Sequence, residues 1–248
     1  MEKRIIIALL FSACLLPSHA QSDDFGVWTD IGVEQKLNSR WSVEGGAELR
    51  TRDNSKELDR WSLGADVNYK LTNWLKLSAG YMLIDDHRYN LNDKGTKYAD
   101  FWGLRHRFNV SLTASQSFGD LSVSLRERWQ YTYRPEMTVA RYYVRTNSIK
   151  GYEEGEYADD HTYSGKGKNV WRNRLMLKYK LSRTIRPYVS AESSVASGLE
   201  KMRYGAGSEI RLDKHHSFDV KYIYQRYYDD DADEGNCHVL GVGYTYKF

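Results

Sequence analysis

The chain has 248 residues, 14% of them aromatic, a formal net charge of +3 and a mean hydropathy of −0.69. That hydropathy excludes a bundle of membrane helices, near-neutrality gives no case for nucleic acid, and the length suits one domain. Only three prolines interrupt it, as expected of a chain that spends most of its length in hydrogen-bonded ladders.

Residues 1–20 read as a secretory signal peptide. Glu2, Lys3 and Arg4 precede an apolar run from Ile5 to Leu16, and Ser18-His19-Ala20 offers small residues at a cleavage point after Ala20. The run is too short to span a membrane, which takes about 20 residues. A lipoprotein signal acylated at Cys14 is the alternative, opposed by Phe11 and by the continuation of the run through Leu15 and Leu16. The domain then covers 21–248 and keeps a single cysteine, Cys237, so no intramolecular disulfide forms.

From Phe25 onward the sequence alternates with a period of two, the mark of strands with one apolar and one wetter face. Val27, Thr29, Ile31 and Val33 alternate with Asp30, Gly32 and Glu34, and Trp41, Val43, Ala47 and Leu49 follow a turn at 38–40. Trp61 to Leu71 and Leu75 to Leu83 repeat the pattern, and residues 85–100 read as a polar loop. Trp102 to Ala114 and Leu121 to Tyr133 follow, then an irregular tyrosine-rich stretch, 135–168, read as a long external loop. Within it, 138–146 reads as a hairpin arm standing above the membrane. Trp171 to Leu181, Ile185 to Val195, Met202 to Leu212, Phe218 to Tyr228 and His238 to Phe248 complete the set, with an acidic loop at 229–236. The last segment places Leu240, Val242, Tyr244, Tyr246 and Phe248 on one face and resembles the closing strand of Gram-negative outer-membrane barrels, whose terminal Phe is read by the insertion machinery.

These segments predict an all-β fold: a transmembrane antiparallel up-and-down β-barrel of 10–12 strands, twelve favoured because bacterial barrels have even counts. Eleven segments are visible, so the parity does not close. Connections alternate, short after 37, 71, 115, 181 and 212 and long after 51, 84, 134, 195 and 228, as for periplasmic turns and external loops. Trp41, Tyr69, Trp74, Tyr179, Tyr246 and Phe248 gather by the short turns, where aromatic rings sit among lipid headgroups. The implied surroundings are outer-membrane lipid and lipopolysaccharide, with Phe248 as the handle for insertion. His106, Glu127 and Asn173 fall on the lipid-facing parity and are poor lipid neighbours.

The opposite parity predicts a lumen rich in arginine. Arg50, Arg105, Arg107, Arg126, Arg128, Arg172, Arg174, Arg203 and Arg211 all fall on it, with Arg60 and Arg186, against inward acids that include Glu44, Glu48, Asp66, Glu192, Glu209 and Asp219. Guanidinium groups take carboxylates and phosphates bidentately, which suits a narrow pore for small anionic solutes. The alternative is an internal ion-pair network in a non-conducting structural or adhesive barrel, with the 135–168 loop meeting an external ligand. Phe25-Gly26-x-Trp28, Glu48-x-Arg50 and the Arg-x-Arg pairs at 50/52, 105/107, 126/128 and 172/174 resemble a family of uncharacterised outer-membrane barrels catalogued as a domain of unknown function. That resemblance implies the fold and the location and no activity. The lumen chemistry is similar to that of narrow porins for acidic oligosaccharides.

An enzyme is not expected. Asp85-Asp86-His87 and Asp159-Asp160-His161 are the candidate rim sites, but charged loops generate such triplets readily. No cofactor or zinc spacing is present, and the 229–234 acids lack the glycine and spacing of a calcium loop.

Overall fold

The computed structural model describes residues 23–146, 150–228 and 236–248. The leader assigned to residues 1–20 and the acidic run 229–234 lie outside them. The described residues form thirteen strands, β1 (Asp24–Lys36), β2 (Trp41–Arg52), β3 (Glu57–Lys70), β4 (Leu75–Leu91), β5 (Lys97–Phe118), β6 (Leu121–Arg134), β7 (Met137–Tyr143), β8 (Tyr157–Tyr163), β9 (Lys166–Tyr179), β10 (Ile185–Val195), β11 (Leu199–Arg211), β12 (His216–Tyr227) and β13 (Cys237–Lys247).

Eleven of them close a barrel. Each pairs antiparallel with its neighbour round the circle from β1 to β6, then β9 to β13, and the β4–β5 pairing completes the hoop. The favoured count of twelve is therefore corrected to eleven. Parity is resolved at the seam: β1 and β13 run parallel, in register from Asp24 with Cys237 to Glu34 with Lys247. With an odd number of alternating strands, the first and last must point the same way. Among the described residues no strand precedes β1.

The 135–168 region is not a loose loop. Arg134 pairs with Lys166 at the end of the β6–β9 ladder, and Met137 pairs with Tyr163 at the start of the β7–β8 ladder. The two ladders are one long hairpin, kinked where Pro135 offers no N–H and Gly165 lies opposite. Its upper arm of seven-residue strands stands about 23 Å above the bend. A hairpin adds its strands in pairs, so the arm leaves the barrel's parity unchanged. The arm leans onto the tip of β5, pairing Lys97 with Tyr143 and Tyr98 with Tyr142.

An Asp159 carboxylate fastens that lean. It accepts two hydrogen bonds from Arg141, each 2.8 Å, and one from Lys97 at 2.9 Å. The Arg141 and Lys97 hydrogen bonds hold the Asp159 carboxyl down to about 2. A carboxylate with a depressed folded pKa stabilises above its unfolded pKa and loses that contribution as pH falls through the folded value. Hydrogen-exchange protection in 137–163 should thus exceed that of Asp159→Asn by a constant margin above pH 4. The margin should vanish as pH falls towards 2. Equal protection at neutral pH would show that the clamp holds nothing.

The polar stretch 85–100 is also strand rather than loop. β4 runs on to Leu91 and β5 begins at Lys97, paired throughout from Asp85–Leu104 to Leu91–Tyr98, with a turn at 92–96. The apolar alternation lapses there because the outward row carries Asp85 and His87 while the inward Asp86 and Arg88 are charged, buried and paired, and the ladder continues regardless.

The barrel is apolar outside and polar inside. Ile31 is 64% exposed and Leu63 52%, whereas Ser62, Asn109, Ser111, Gln130, Glu192, Ser194 and Gln225 are buried. An outer wall this apolar is stable only in an apolar medium. Two of the polar residues on that wall are satisfied locally. His106 Nδ1 meets the Tyr81 hydroxyl at 2.8 Å, and Asn173 donates to Ser193 at 3.3 Å.

Candidate functional site

The lumen-facing residues lie in rows fixed by strand register. On β6 and β9, Arg126 lies directly opposite Arg174, and Arg128 opposite Arg172, so the two Arg-x-Arg pairs make a square of four guanidiniums. Arg50 and Arg60 are likewise opposite each other on β2 and β3. Like charges in directly opposed positions are destabilising. A single carboxylate serves half of the square. Glu192 sits opposite Arg174 on one side and Arg203 on the other, binds Arg126 at 2.6 Å and Arg172, and lies 3.6 Å from Arg203.

The remaining predicted arginines divide into three cases. Arg50 holds Glu48 through two hydrogen bonds, 2.7 and 3.0 Å, and lies 3.7 Å from the Trp28 ring centroid, while Arg105 pairs with Asp86. Arg107 donates to Thr132 at 3.2 Å and Arg128 to Ser111 at 2.8 Å, and these two, with Arg174, make no ion pair among the described residues. Arg211 is not brought to the others; it binds Glu209 near the short-turn end, beside Lys178.

Above the square the barrel opens at the long-loop end into a vestibule of about 820 Å³. Arg50, Arg105, Arg107, Arg172 and Arg203 line it; Arg126, Arg128 and Arg174 lie below its floor. Eleven basic residues line it against five acids, Asp23, Asp24, Asp53, Asp59 and Glu200. All five are engaged at the rim. Asp24 accepts the backbone N–H groups of Asp53 and Asn54, at 3.1 and 2.8 Å, in a turn where both have positive φ. Asp53 meets Lys56, Asp59 meets Arg52, Glu200 meets Lys168, and Asp23 lies 3.3 Å from His238. The floor gains no acid from them. Arg107 stands there beside Arg105 with positive charge unanswered.

A second cavity, about 410 Å³, opens at the short-turn end, and the two share no lining residue. Between them lie the Glu192 cluster and a lower set of pairs. Lys178 binds Glu209 at 2.8 Å, Lys221 binds Asp219 at 3.0 Å, and Tyr188 donates to Asp219 at 2.8 Å. Lys221 also reaches Asp30, 3.6 Å away, passing over Gly241, where a Cβ would come within 2.6 Å of its stem. The lower wall from β1 to β3 is acidic, with Glu34, Glu44 and Asp66 in one register row.

Compared with known proteins, residues 25–236 match the model of the family described as Protein of unknown function (DUF2490). The chain belongs to that family. No curated protein matches it. Among solved structures, this DUF2490 barrel is similar to the translocator domain of the autotransporter NalP from Neisseria meningitidis, with 12% identity, a TM-score of 0.57, and 90% of this chain and 89% of that chain covered. The β domain of the Bordetella autotransporter BrkA is similar at 13% identity and a TM-score of 0.49, covering 84% of this chain and 82% of that one. The likeness to NalP is one of fold.

Several residues that shape the vestibule of the DUF2490 barrel escape a search for charge pairs. Trp28 lies beside Arg50 and 5.2 Å from Arg203, and Gln130 and Gln225 accept from Arg172 and Arg203. All share the inward parity, the one signal that marks them in the sequence. Asp86 and Arg88, buried and paired at 3.2 Å, fell within the stretch read as loop. His87 faces outward, stacked on Trp102 and bonded to Asp100, and His161 packs edge-on against Tyr163 on the hairpin arm. Among the described residues neither imidazole has a hydrogen bond to a serine or cysteine side chain.

Proposed function

We propose that this barrel resides in the outer membrane and captures small anionic solutes from the outside in its arginine-lined vestibule. Arg107 carries this proposal. Its guanidinium lines the floor of an open cavity, has a single hydrogen bond to Thr132, and meets no carboxylate among the described residues. A vestibule of this volume falls in the usual range for small-ligand sites. Passage onward requires the Glu192 ion pairs to part, so conductance is expected to be small and anion-selective.

The test is calorimetric titration of the refolded barrel, in neutral detergent at low salt, with succinate. Wild-type protein should bind, more weakly as salt rises. Arg107→Gln should lose about tenfold or more in affinity, the worth of a charge-assisted contact of about 1.5–3 kcal/mol. Unchanged binding in that variant would remove the assignment of the floor. A second proposal, a closed structural barrel that displays its hairpin arm, is favoured by the separation of the two cavities. A barrel silent in planar bilayers and unresponsive to succinate would establish it.

A further inference from the structure

The short-turn mouth carries its own cluster of cations. Lys36 ends β1, Lys70 ends β3 and Lys76 is the second residue of β4, all on the lumen-facing parity, and Arg40 lies in the turn beside them. Lys70 is directly opposite Lys76, and its backbone N–H bonds to the Arg40 carbonyl at 2.8 Å, so three cations stand side by side across adjacent strands. Opposed like charges disfavour a sheet pair, and here they fall in the row that opens to water. All four line the 410 Å³ cavity, whose lining holds no acidic residue. Deeper in the barrel, Glu34 is engaged by Lys247 at 3.0 Å, and Glu44 by Asn68 at 2.8 Å and, through space, by the charge of Lys76. Among the described residues none of the four cations has an ion pair, and Arg40 has one side-chain bond, to the Tyr69 hydroxyl at 3.2 Å. Asn68 and Thr113 add neutral polar groups to the same cavity.

From this geometry we infer a second anion site at the short-turn mouth, for a soluble ligand carrying at least two phosphate or carboxylate groups. Ammonium groups on flexible stems are strongly hydrated point charges, suited to gathering several anionic groups rather than to one planar bidentate contact. The inward parity of Lys36, Lys70 and Lys76 directs them to the mouth and away from the lipid-facing wall. A ligand dissolved in the periplasm therefore fits better than a lipid headgroup.

The test uses the full barrel refolded in neutral detergent, with pyrophosphate as the phosphate probe and citrate as the carboxylate probe, read by thermal unfolding at low ionic strength. Either probe should raise the melting temperature of wild type and of Arg107→Gln alike, which separates this mouth from the vestibule. The double variant Lys70→Gln, Lys76→Gln should melt higher than wild type without ligand, because the opposed charges are gone. It should also weaken the response at least tenfold in ligand concentration. Lys36→Gln alone should give an intermediate shift. A wild-type barrel indifferent to both probes would overturn the inference, as would a double variant that melts lower and responds as wild type does. Equal effects from vesicles bearing anionic headgroups, with no effect of soluble probes, would assign the cluster to lipid and overturn it too.

Discussion

Replacing Glu192 by alanine is expected to cost about 3–5 kcal/mol of unfolding free energy, the usual result of removing one partner from a buried ion pair. The side chain is almost fully buried, and Arg126, Arg172 and Arg203 all lean on it, with Arg174 opposite in register. Without it, four guanidiniums face one another across two strand pairs in a confined space. Urea unfolding of the refolded barrel in lipid vesicles measures the loss. Glu192→Gln should fall between alanine and wild type, because the amide still accepts hydrogen bonds but carries no charge. Removing Arg126 as well should recover part of the loss, and a double-mutant cycle isolates that coupling. A loss below about 1 kcal/mol for alanine would mean that water, not Glu192, screens the square, and that the lumen is wetter than its ion pairs imply.

That cluster shows what the sequence could and could not disclose. A period of two sorts residues into inward and outward sets, and it placed every arginine of the square and Glu192 on the correct face. It carries no information on which inward residues meet, because register depends on turn geometry and on strands distant in the chain. Arg211 has the same parity as Arg203, yet strand length carries it to the other end of the barrel, to Glu209. The period also fails above the lipid. Asp85 to Asp100 lost its apolar alternation because polar side chains fall on both faces, outward Asp85 and His87 and the buried, paired Asp86 and Arg88 inward, although the ladder there continues from Asp85–Leu104 to Leu91–Tyr98. The strand count was legible as eleven, and only the expectation of an even number pulled it to twelve. Nothing local to Val27–Val33 or to Val239–Thr245 distinguishes a parallel neighbour from an antiparallel one.

Leu175→Arg should be the most damaging single change on the outer wall, at about 2–4 kcal/mol if Leu175 sits near the bilayer midplane. Leu175 is 48% exposed, halfway down the lipid-facing row of β9, with Leu125 and Ala191 as its cross-strand neighbours. An arginine there lies among apolar neighbours, with Glu127, opposite Asn173 and one diagonal step away, as the outward carboxylate on the adjoining strand. The same substitution at Tyr157, exposed on the hairpin arm, should change stability by less than about 0.5 kcal/mol, as for an ordinary surface site. Unfolding measured in vesicles gives both values. If the two variants behaved alike, the outer wall would not be meeting lipid at all.

The parallel seam bears on how the chain can be rewired. In an even-stranded barrel the two termini emerge at the same rim, and a tight turn can join them while new ends are cut elsewhere. Here Asp24 and the end of β13 lie at opposite rims, because β1 and β13 travel together from Asp24–Cys237 to Glu34–Lys247. A parallel pair needs a crossover of a dozen residues or more. Any circular permutant of this barrel must carry such a crossover through the crowded lumen or across the lipid-facing wall, so new termini are admissible only at the price of an added traverse.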